Sequence, residues 1–319
     1  MNKIINSDAK EALSHLPDNS IDCCVTSPPY YGLRDYGDTR QIGLETTPEG
    51  YIQKLVDVFD EVYRVLRSDG TLWLNIADSY SGSGKGAAAD NEDASRYKQG
   101  TNKGTLSKDT MVKQINGCKP KDLIGIPWML AFALRSHGWY LRQDIIWSKP
   151  NPMPESVKDR CTKSHEYIFL LSKSRSYYFN YEAIMEQAAY DGRKDTRMKG
   201  SHKYSQNVTG LRPQTFMARG HERWVMKNGE YMRNKHDVWT VSTKPLKYNH
   251  FASFPEELIA PCIQAGCREN GIVLDPFLGS GTTAIVARKL NRNYIGCEIN
   301  KSYIDIAKKR LTEELGMFK

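Results

Sequence analysis

Short apolar runs alternate with amphipathic stretches along most of the chain. The runs at 21–25 (IDCCV) and 71–76 (TLWLNI) have the length and composition of buried strands. Between them, apolar residues recur every three to four positions over 51–66, which predicts an amphipathic helix, and the Ser-Asp-Gly sequence at 68–70 is expected to end it. This alternation is typical of an α/β fold with a mostly parallel sheet.

The same alternation continues towards the C-terminus. The pattern predicts further helices at 126–136, 255–265, 282–290 and 302–315, and further strands at 140–147, 167–171, 272–274 and 294–297. A strand-helix-strand unit therefore closes the chain, and a separate series of elements opens it.

Two stretches interrupt the alternation. The first, 79–120, is small, polar and Gly-rich over its first thirty residues, and a loop of this length inside a compact domain is usually functional or disordered. We predict a mobile loop insertion there. The second interruption has few aliphatic residues, many charges and interspersed aromatics. The α/β domain is therefore predicted to be discontinuous, with one half at 1–184, an insertion at 185–240 and the other half at 241–319.

The charge of the chain is concentrated in that insertion. The whole sequence carries 45 basic and 37 acidic side chains, a net charge of +8, which is weak evidence for a polyanionic partner. Residues 193–236 contain eleven basic and three acidic side chains, so this segment accounts for the entire excess. Because lysine and arginine neutralise phosphates, and arginine can also read guanine, we predict a nucleic-acid recognition region there. A solvated charged loop is the alternative.

Seven basic residues of this segment are the candidate DNA contacts. They are interleaved with aromatic side chains, which can stack on bases. The candidates are Arg193, Lys194, Arg212, Arg219, Arg223, Lys227 and Arg233.

Other global features exclude several classes of protein. No apolar run approaches the roughly 20 residues that span a bilayer, and the N-terminus lacks the apolar core of a signal peptide, so we expect no membrane association. The seven cysteines are scattered, and the chain has no CxxC pair. This usage argues against a disulfide framework and against a structural metal site, and it favours a reducing cytoplasm.

A glycine turn near the C-terminus predicts a ligand site. The strand at 272–274 leads into Asp275–Thr283 (DPFLGSGTT), which opens a helix whose N-terminus carries unpaired N–H groups. Glu298 ends the next strand, 23 residues further on, and an acid at that separation can bind ribose hydroxyls. The turn lacks both a Walker lysine and a third glycine, and Asp275 would repel a pyrophosphate. An ammonium-bearing nucleoside such as S-adenosylmethionine fits better, and a simple turn is the alternative.

A second motif, Thr26–Gly32 (TSPPYYG), follows the first predicted strand. Two consecutive prolines hold the backbone rigid and donate no hydrogen bonds, so their carbonyls can point outward as acceptors. A serine hydroxyl precedes them and an aromatic ring follows. This arrangement suits an exocyclic amine, whose two N–H groups would meet two acceptors while the ring stacks on the base. Considered alone, the motif could equally be a proline turn.

Together these elements resemble the amino-methyltransferases of DNA, which methylate the exocyclic nitrogen of cytosine or adenine. Ser27–Tyr30 (SPPY) matches their catalytic motif, [DNS]-P-P-[YFW], and Asp275–Thr283 matches their S-adenosylmethionine motif. Three other stretches, His250–Leu258 (HFASFPEEL), Asn6–Ala9 (NSDA) and Trp147–Asn151 (WSKPN), resemble further segments of the family. The catalytic motif precedes the cofactor motif, which is the circularly permuted order of the β group.

The resemblance implies a Rossmann-like methyltransferase fold: a mostly parallel seven-stranded sheet with helices on both faces, circularly permuted, with an inserted target-recognition region. The half at 1–184 would be catalytic and the half at 241–319 would bind the cofactor, S-adenosyl-L-methionine. The implied partner is double-stranded DNA in the cytoplasm of a bacterium or a phage-infected cell, in association with the nucleoid. A cognate restriction endonuclease, and the choice between monomer and homodimer, stay open.

The resemblance also implies roles for the catalytic motif. Ser27 Oγ and the Pro28 carbonyl would hold the two N–H groups of the amine, Pro29 completes the rigid turn, and Tyr30 would stack on a base flipped out of the duplex. In this family, serine at the first position accompanies cytosine N4 methylation, so that product is expected. A hydroxyl accepts one N–H bond as a carboxylate does, so adenine N6 methylation stays open.

For the cofactor, the resemblance implies a set of contacts around the glycine turn. Asp275 would meet the methionine amino group, Glu298 the ribose, Phe277 the adenine ring and Asp8 its amino edge. The turn itself would comprise Gly279, Ser280, Gly281 and Thr282. His165, Glu166 and Lys149 also lie in family-like segments but receive no role. A non-catalytic DNA-binding protein and a methyltransferase of RNA or protein are the remaining alternatives, against which the intact motifs and the basic insertion argue.

Overall fold

The computed structural model describes residues 2–32, 38, 40–81, 117–188, 225–227, 230–244 and 254–316, with backbone alone at 225–227. The chain divides into two units, one formed by Met1–Asn180 with Asp237–Lys319 and the other by Tyr181–His236. The second unit corresponds to the predicted insertion at 185–240, but each of its boundaries lies four residues earlier in the sequence. The functional roles assigned to the three parts of the chain remain predictions.

The larger unit alternates strands and helices. Its strands are β1 (Asn2–Asn6), β2 (Ile21–Thr26), β3 (Leu66–Ile76), β4 (Tyr140–Ser148), β5 (His165–Ser172), β9 (Val238–Thr240), β10 (Ile272–Asp275) and β11 (Asn293–Glu298). Its helices are α1 (Ala9–Ser14), α2 (Pro48–Val65), α3 (Ile126–Ser136), α4 (Glu256–Gly266), α5 (Thr282–Lys289) and α6 (Lys301–Leu315). The α/β class predicted from the pattern is confirmed.

These strands form one mixed sheet in the order β1-β11-β10-β2-β3-β5-β4-β9. All neighbours are parallel except β5, which is antiparallel to both β3 and β4. The described sheet has eight strands, so the predicted number of seven is wrong. The additional strand, β9, is three residues long, follows the smaller unit in the sequence and pairs with β4 at the edge of the sheet. A segment of three residues is too short to show the alternation of apolar and polar positions that predicts a strand.

Helices cover both faces of the sheet. Helix α2 begins at Pro48, capped by the Thr47 hydroxyl, and buries one apolar side from Tyr51 to Val65. It packs with α1 and α3 against the face that presents Leu72 and Leu74. Helices α4, α5 and α6 pack together on the other face, where α4 contacts β2 and β3. The carboxyl ends of the strands therefore lie between two layers of helices.

Two local predictions need correction. The Ser-Asp-Gly sequence at 68–70 lies inside β3 and does not end α2, because the helix already ends at Val65 and the fully buried Leu66 pairs with Ile21 of β2. The pairing then shifts register, which places residues 68–70 in an irregular part of the strand. Strand β1 and helix α1 were not predicted, since β1 (NKIIN) is half exposed and α1 has only six residues.

The smaller unit contains a three-stranded antiparallel sheet. Its strands are β6 (Glu186–Gln187), β7 (Val225–Lys227) and β8 (Glu230–Arg233), in the order β6-β8-β7. Glu186 lies among basic side chains there: Arg233 is 2.9 Å from its carboxylate, and Lys235 and His236 are 3.8 and 3.6 Å from it.

The predicted mobile loop lies mostly outside the described residues. Its two ends are joined, since Ser81 and Asp122 hydrogen bond through their backbones at 2.8 Å and Ile124 N–H donates to the Ser79 carbonyl at 3.0 Å. The family-like stretch at 250–253 also lies outside the described part. Among the helices that the structure describes, none combines the length and apolarity needed to cross a bilayer.

Candidate active site

A cleft of about 1020 Å³, part of which is open solvent, lies at the carboxyl edge of the sheet. Because β2 and β10 are parallel neighbours, the loops that follow them leave the sheet side by side. Ser27–Tyr30 lines one wall and the turn after Asp275 lines the other. The structure thus brings together two motifs that lie far apart in the sequence.

Eleven of the twelve predicted catalytic and cofactor residues line this cleft. They are Asp8, Ser27, Pro28, Pro29, Tyr30, Asp275, Phe277, Gly279, Ser280, Thr282 and Glu298. Gly281 does not line it. A Cβ at Gly281, whose φ is +86°, would lie 2.9 Å from Cβ of Ala307 in α6. Glycine is therefore needed there for the left-handed backbone and for the close approach of two helices.

Of the two proline carbonyls in the Ser27–Tyr30 loop, only that of Pro29 accepts a hydrogen bond from another described residue. The Tyr51 hydroxyl of α2 donates to the Pro29 carbonyl at 2.7 Å, so the expectation that both carbonyls point outward is wrong for Pro29. Within the described residues, none donates a hydrogen bond to the Pro28 carbonyl. Pro28 therefore offers an acceptor next to Ser27, and Pro29 anchors the loop to α2.

Tyr30 is tied to a buried polar cluster under the loop. Its hydroxyl donates to Glu166 Oε2 at 2.7 Å, and Asn75 Nδ2 donates to the same oxygen at 3.2 Å. Lys149 forms an ion pair with the other oxygen of Glu166. Burial first, and then the neighbouring Glu166, raise the pKa of Tyr30 well above its usual range, so the hydroxyl stays a hydrogen-bond donor.

Sequence reasoning missed the role of this cluster. Glu166 of β5 and Lys149, directly after β4, meet because β4 and β5 form an antiparallel pair with Ser148 opposite His165. Asn75 reaches them from the neighbouring strand β3. The only available signal was that residues 147–151 and 165–166 resemble family segments, and that resemblance alone specifies no contact.

Asp275 is held at the end of β10 by three protein donors. Its Oδ1 accepts from the Thr26 hydroxyl at 2.6 Å and from the Phe277 N–H at 3.0 Å, and its Oδ2 accepts from the Thr283 hydroxyl at 2.6 Å. Burial raises the pKa of Asp275 to about 6, although these hydrogen bonds favour the ionised form. The carboxylate is thus oriented, largely desolvated and suited to a cationic partner.

Glu298, at the end of β11, joins two turns. Its Oε2 accepts from Gly279 N–H and its Oε1 from Asn300 N–H, each at 2.8 Å. Burial raises the pKa of this carboxyl above its ordinary value. Since each carboxylate oxygen can accept a second hydrogen bond, Glu298 can still receive hydroxyl donors from the cleft.

Arg310 of α6 supports the glycine turn from below and was not predicted. Its guanidinium donates to the Ser280 carbonyl at 3.0 Å and to the Thr282 hydroxyl at 3.0 Å. The side chain is 4% exposed and lies 3.3 Å from Glu314. No local pattern distinguishes this arginine from the exposed basic residues of the same amphipathic helix.

The hydrogen-bonding groups of the cleft fit S-adenosylmethionine. Three acidic residues line it, Asp8, Asp275 and Glu298, and carboxylates can accept hydrogen bonds from ammonium and hydroxyl groups but repel phosphates. Asp8 also caps α1, where it accepts from Glu11 N–H at 3.2 Å. Apolar side chains complete the walls, namely Ile42, Phe254, Phe277, Leu278 and Ile299. An adenine ring fits such walls, whereas a pyrophosphate does not fit the carboxylates.

The predicted DNA contacts are described only in part. Arg193, Lys194, Arg212, Arg219 and Arg223 lie outside the described residues, and only the backbone of Lys227 is described, in β7. Arg233 is described and forms an ion pair with Glu186. No group of three His, Cys, Asp or Glu side chains in the described ranges is placed to hold a metal ion.

Comparison with known proteins identifies the family. A family model described as DNA methylase, N6/N4 type, matches residues 21–309. The chain is 44% identical over 312 residues to the Type II methyltransferase M.Cfr9I of Citrobacter freundii, covering 98% of this chain and 88% of the relative. It is 45% identical over 309 residues to the Type II methyltransferase M.SmaI of Serratia marcescens, covering 97% of this chain and 90% of the relative.

Solved structures share the fold at lower identity. The PvuII DNA methyltransferase, described as cytosine-N4-specific, aligns with a TM-score of 0.61 at 15% identity, covering 96% of this chain and 85% of that one. A protein described as a DNA modification methylase of Thermus thermophilus, complexed with S-adenosyl-L-methionine, aligns with a TM-score of 0.59 at 21% identity, covering 100% of this chain and 96% of that one. The chain belongs to the N6/N4 DNA methylase family, whose cofactor is S-adenosyl-L-methionine.

Proposed function

We propose that this protein is a site-specific DNA methyltransferase of the permuted β group that methylates the N4 amine of a flipped-out cytosine. The observation that carries the proposal is the shared cleft. Ser27 and Pro28 line one wall, and the turn that begins at Asp275 lines the other. Methyl transfer requires the amine and the methyl donor to meet in one space, and this cleft provides both walls.

The catalytic wall would act by orienting the amine. The lone pair of an aromatic amine is delocalised into the ring, so the nitrogen is a poor nucleophile. Ser27 Oγ and the Pro28 carbonyl would accept hydrogen bonds from its two N–H groups and favour a pyramidal nitrogen. Positive charge develops on that nitrogen as the methyl group leaves sulfur, and fixed acceptors stabilise it without reorganisation; the nitrogen then loses one N–H proton to solvent. When bound, S-adenosylmethionine supplies the electrophilic methyl group.

The Tyr30 ring would stack on the flipped base. Its hydroxyl is fixed by Glu166, so the ring is oriented before the base arrives. A platform that is already ordered loses less conformational entropy on binding than a free side chain does. Glu166 and Lys149 are therefore proposed as residues that position Tyr30.

On the cofactor wall, Asp275 would accept the methionine ammonium and Glu298 the ribose hydroxyls. Phe277 would pack against the adenine and Asp8 would accept its amino group. The hydrogen bonds from Thr26 and Thr283 keep the Asp275 carboxylate facing one way. Ser280 and Thr282 would be held in place by Arg310.

DNA recognition is assigned to the basic residues of 193–236, and the Type II names of the relatives support a restriction-modification setting. Replacing Arg219 and Arg223 with glutamate is expected to weaken duplex binding and to reduce its dependence on salt, because fewer phosphates are neutralised and fewer counterions are released. Cofactor affinity, measured by titration calorimetry, should not change. An unaltered duplex affinity would reject the assignment.

Serine at position 27 favours cytosine, and the PvuII enzyme of similar fold is described as cytosine-N4-specific. The test uses plasmid DNA from cells that express the protein and from cells that do not. Modification-sensitive sequencing maps the site, and digestion to nucleosides followed by mass spectrometry identifies the base. N4-methylcytosine is expected, and N6-methyladenine would overturn the choice of base. A catalytically inactive protein would leave both DNA samples alike.

A further inference from the structure

The loop between β4 and β5 exposes an apolar side chain at the edge of the sheet that carries the cleft. Met153 is 74% exposed, the highest fraction among the large hydrophobic side chains that the structure describes. Strand β4 runs parallel to β2, through β5 and β3, so this loop leaves the sheet from the same edge as the Ser27–Tyr30 loop.

The arm that carries Met153 is rigid and anchored. Prolines at 150, 152 and 154 fix φ at three of five consecutive positions. The Asn151 side chain is bound in both directions to Thr243, donating to its carbonyl at 3.0 Å and accepting from its N–H at 2.9 Å. The exposed Met153 side chain is thus carried on a stiff support, which would lose little conformational entropy on meeting a partner.

The arm begins at Lys149, which belongs to the buried polar cluster that holds Tyr30. Lys149 pairs with Glu166, and Glu166 accepts the Tyr30 hydroxyl at 2.7 Å. Met153 is four residues further along, so its Cα lies at most about 14 Å from that of Lys149. Met153 is therefore within reach of a large molecule, such as a duplex, that places a base against Tyr30.

The charge of the loop favours a phosphate-bearing partner. Its two acidic residues, Glu155 and Asp159, are neutralised by ion pairs with Arg160 and Lys121, each at 2.6 Å. Lys158 is exposed and has no ion pair within the described part of the chain. Lys158 thus leaves this loop with an uncompensated positive charge, which suits the backbone of duplex DNA.

We infer that Met153 is a wedge that enters the DNA duplex where the target base has left the stack. The inference rests on the proposed function, because only a flipped base leaves such a vacancy. Flipping costs a few kcal/mol in lost stacking and pairing. Apolar side chains such as methionine offset that cost by filling the gap between neighbouring bases. The rigid arm keeps the side chain ready for insertion.

The test compares Met153→Ala with the wild type on two synthetic duplexes that carry the site mapped in host DNA. In one duplex the target base is paired, and in the other it lies opposite an abasic position, where it has no pairing partner and flips at lower cost. Met153→Ala is expected to lower kcat/KM about tenfold on the paired duplex and less than about twofold on the abasic one, since flipping there costs little. Met153→Leu should restore the activity on the paired duplex.

Val238→Ala is the matched control, because Val238 is 56% exposed on the edge strand β9 and should leave both rates unchanged. Equal rates of Met153→Ala and wild type on the paired duplex would overturn the wedge and leave the proposed function standing. An equal loss on both duplexes would also overturn it, because a general contact does not distinguish them. A wild-type protein inactive on both would remove the proposed function and the wedge together.

Discussion

The two walls of the cleft are built in different ways. On the cofactor wall, Asp275 and Glu298 are held by hydrogen bonds from nearby turns and the adjacent strand β2, and most of the wall comes from one continuous stretch after β10. On the catalytic wall, Tyr30 is held by Glu166, 136 residues away in the sequence. A contiguous sequence motif therefore accounts for most of the cofactor wall. On the catalytic wall it accounts for the residues that line the cleft but not for the distant side chain that holds them.

The electrostatics of the two walls also differ. The cofactor wall concentrates carboxyl groups whose burial raises their pKa, so a bound cation would stabilise their ionised form. Beneath the catalytic wall, the carboxylate of Glu166 is already paired with Lys149. One wall is thus built to receive a cationic ligand, and the other to present neutral acceptors and a ring. The predictions below separate these two roles.

The largest effect is expected from Ser27→Ala on the catalytic wall. Removing one acceptor of the developing charge should lower kcat by about 10²- to 10³-fold, in line with other catalytic hydrogen bonds. Cofactor and duplex affinities should stay within about twofold of the wild type, because neither the turn at Asp275 nor the basic segment changes. Single-turnover methylation with labelled S-adenosylmethionine measures the rate. Wild-type turnover in this variant would contradict the assigned role.

Asp275→Asn tests the cofactor wall. Loss of the carboxylate should weaken S-adenosylmethionine binding about ten- to hundredfold, the value of a charge-assisted hydrogen bond. In the wild type, affinity should rise with pH through about 6 as Asp275 ionises, whereas the variant should show no such step. Titration calorimetry from about pH 5 to 8 gives both. Asp57→Asn, an exposed carboxylate of α2, should retain the wild-type profile.

The same raised pKa has a consequence for the cofactor-free fold. A carboxyl whose pKa is higher in the folded than in the unfolded chain favours folding only while it is protonated. Asp275 should therefore reduce the free energy of unfolding as pH rises from near 3.8 through about 6, and Asp275→Asn should remove that part of the pH dependence. An identical pH profile for the two proteins would contradict the burial assigned to this group.

Glu166→Gln should affect the catalytic wall and spare the cofactor wall. The substitution leaves Lys149 without its buried counter-ion and weakens the hold on Tyr30, so we expect kcat to fall about tenfold. Affinity for S-adenosylmethionine should be unchanged. Tyr30→Phe should lose about as much, and the double variant little more, because both act through one contact. Glu256→Gln, which breaks an exposed pair with Lys289, is the control. Additive losses would refute the positioning role.

Gly281→Ala is expected to have the smallest effect on turnover, but it should clearly lower the stability of the fold. Gly281 and Gly316 both have positive φ, at +86° and +64°, but only Gly281 has a neighbour where a Cβ would lie. Gly281→Ala should cost about 1–3 kcal/mol more than Gly316→Ala, because Ala307 must move in addition to the backbone strain. Chemical denaturation measures both. Equal losses would show that packing of α5 on α6 does not require glycine.

The fold class and most of the site could be predicted from sequence because their signals are local. Alternation of apolar runs indicated the α/β class, and Ser27–Tyr30 and Asp275–Thr283 each lie within one stretch. Strand β9 was missed because three residues show no period. Glu166 and Arg310 were missed because their importance arises from pairing between distant elements, and the engagement of the Pro29 carbonyl depends on Tyr51 of another helix.

The measurement that most directly tests the central claim is a crystal structure with S-adenosylhomocysteine, the product of methyl transfer. We expect its ammonium against Asp275, its ribose against Glu298, and its sulfur directed at Ser27 and the Pro28 carbonyl. A sulfur turned away from the Ser27–Tyr30 loop, or a cofactor bound outside the cleft, would contradict the claim that the two walls form one reaction site.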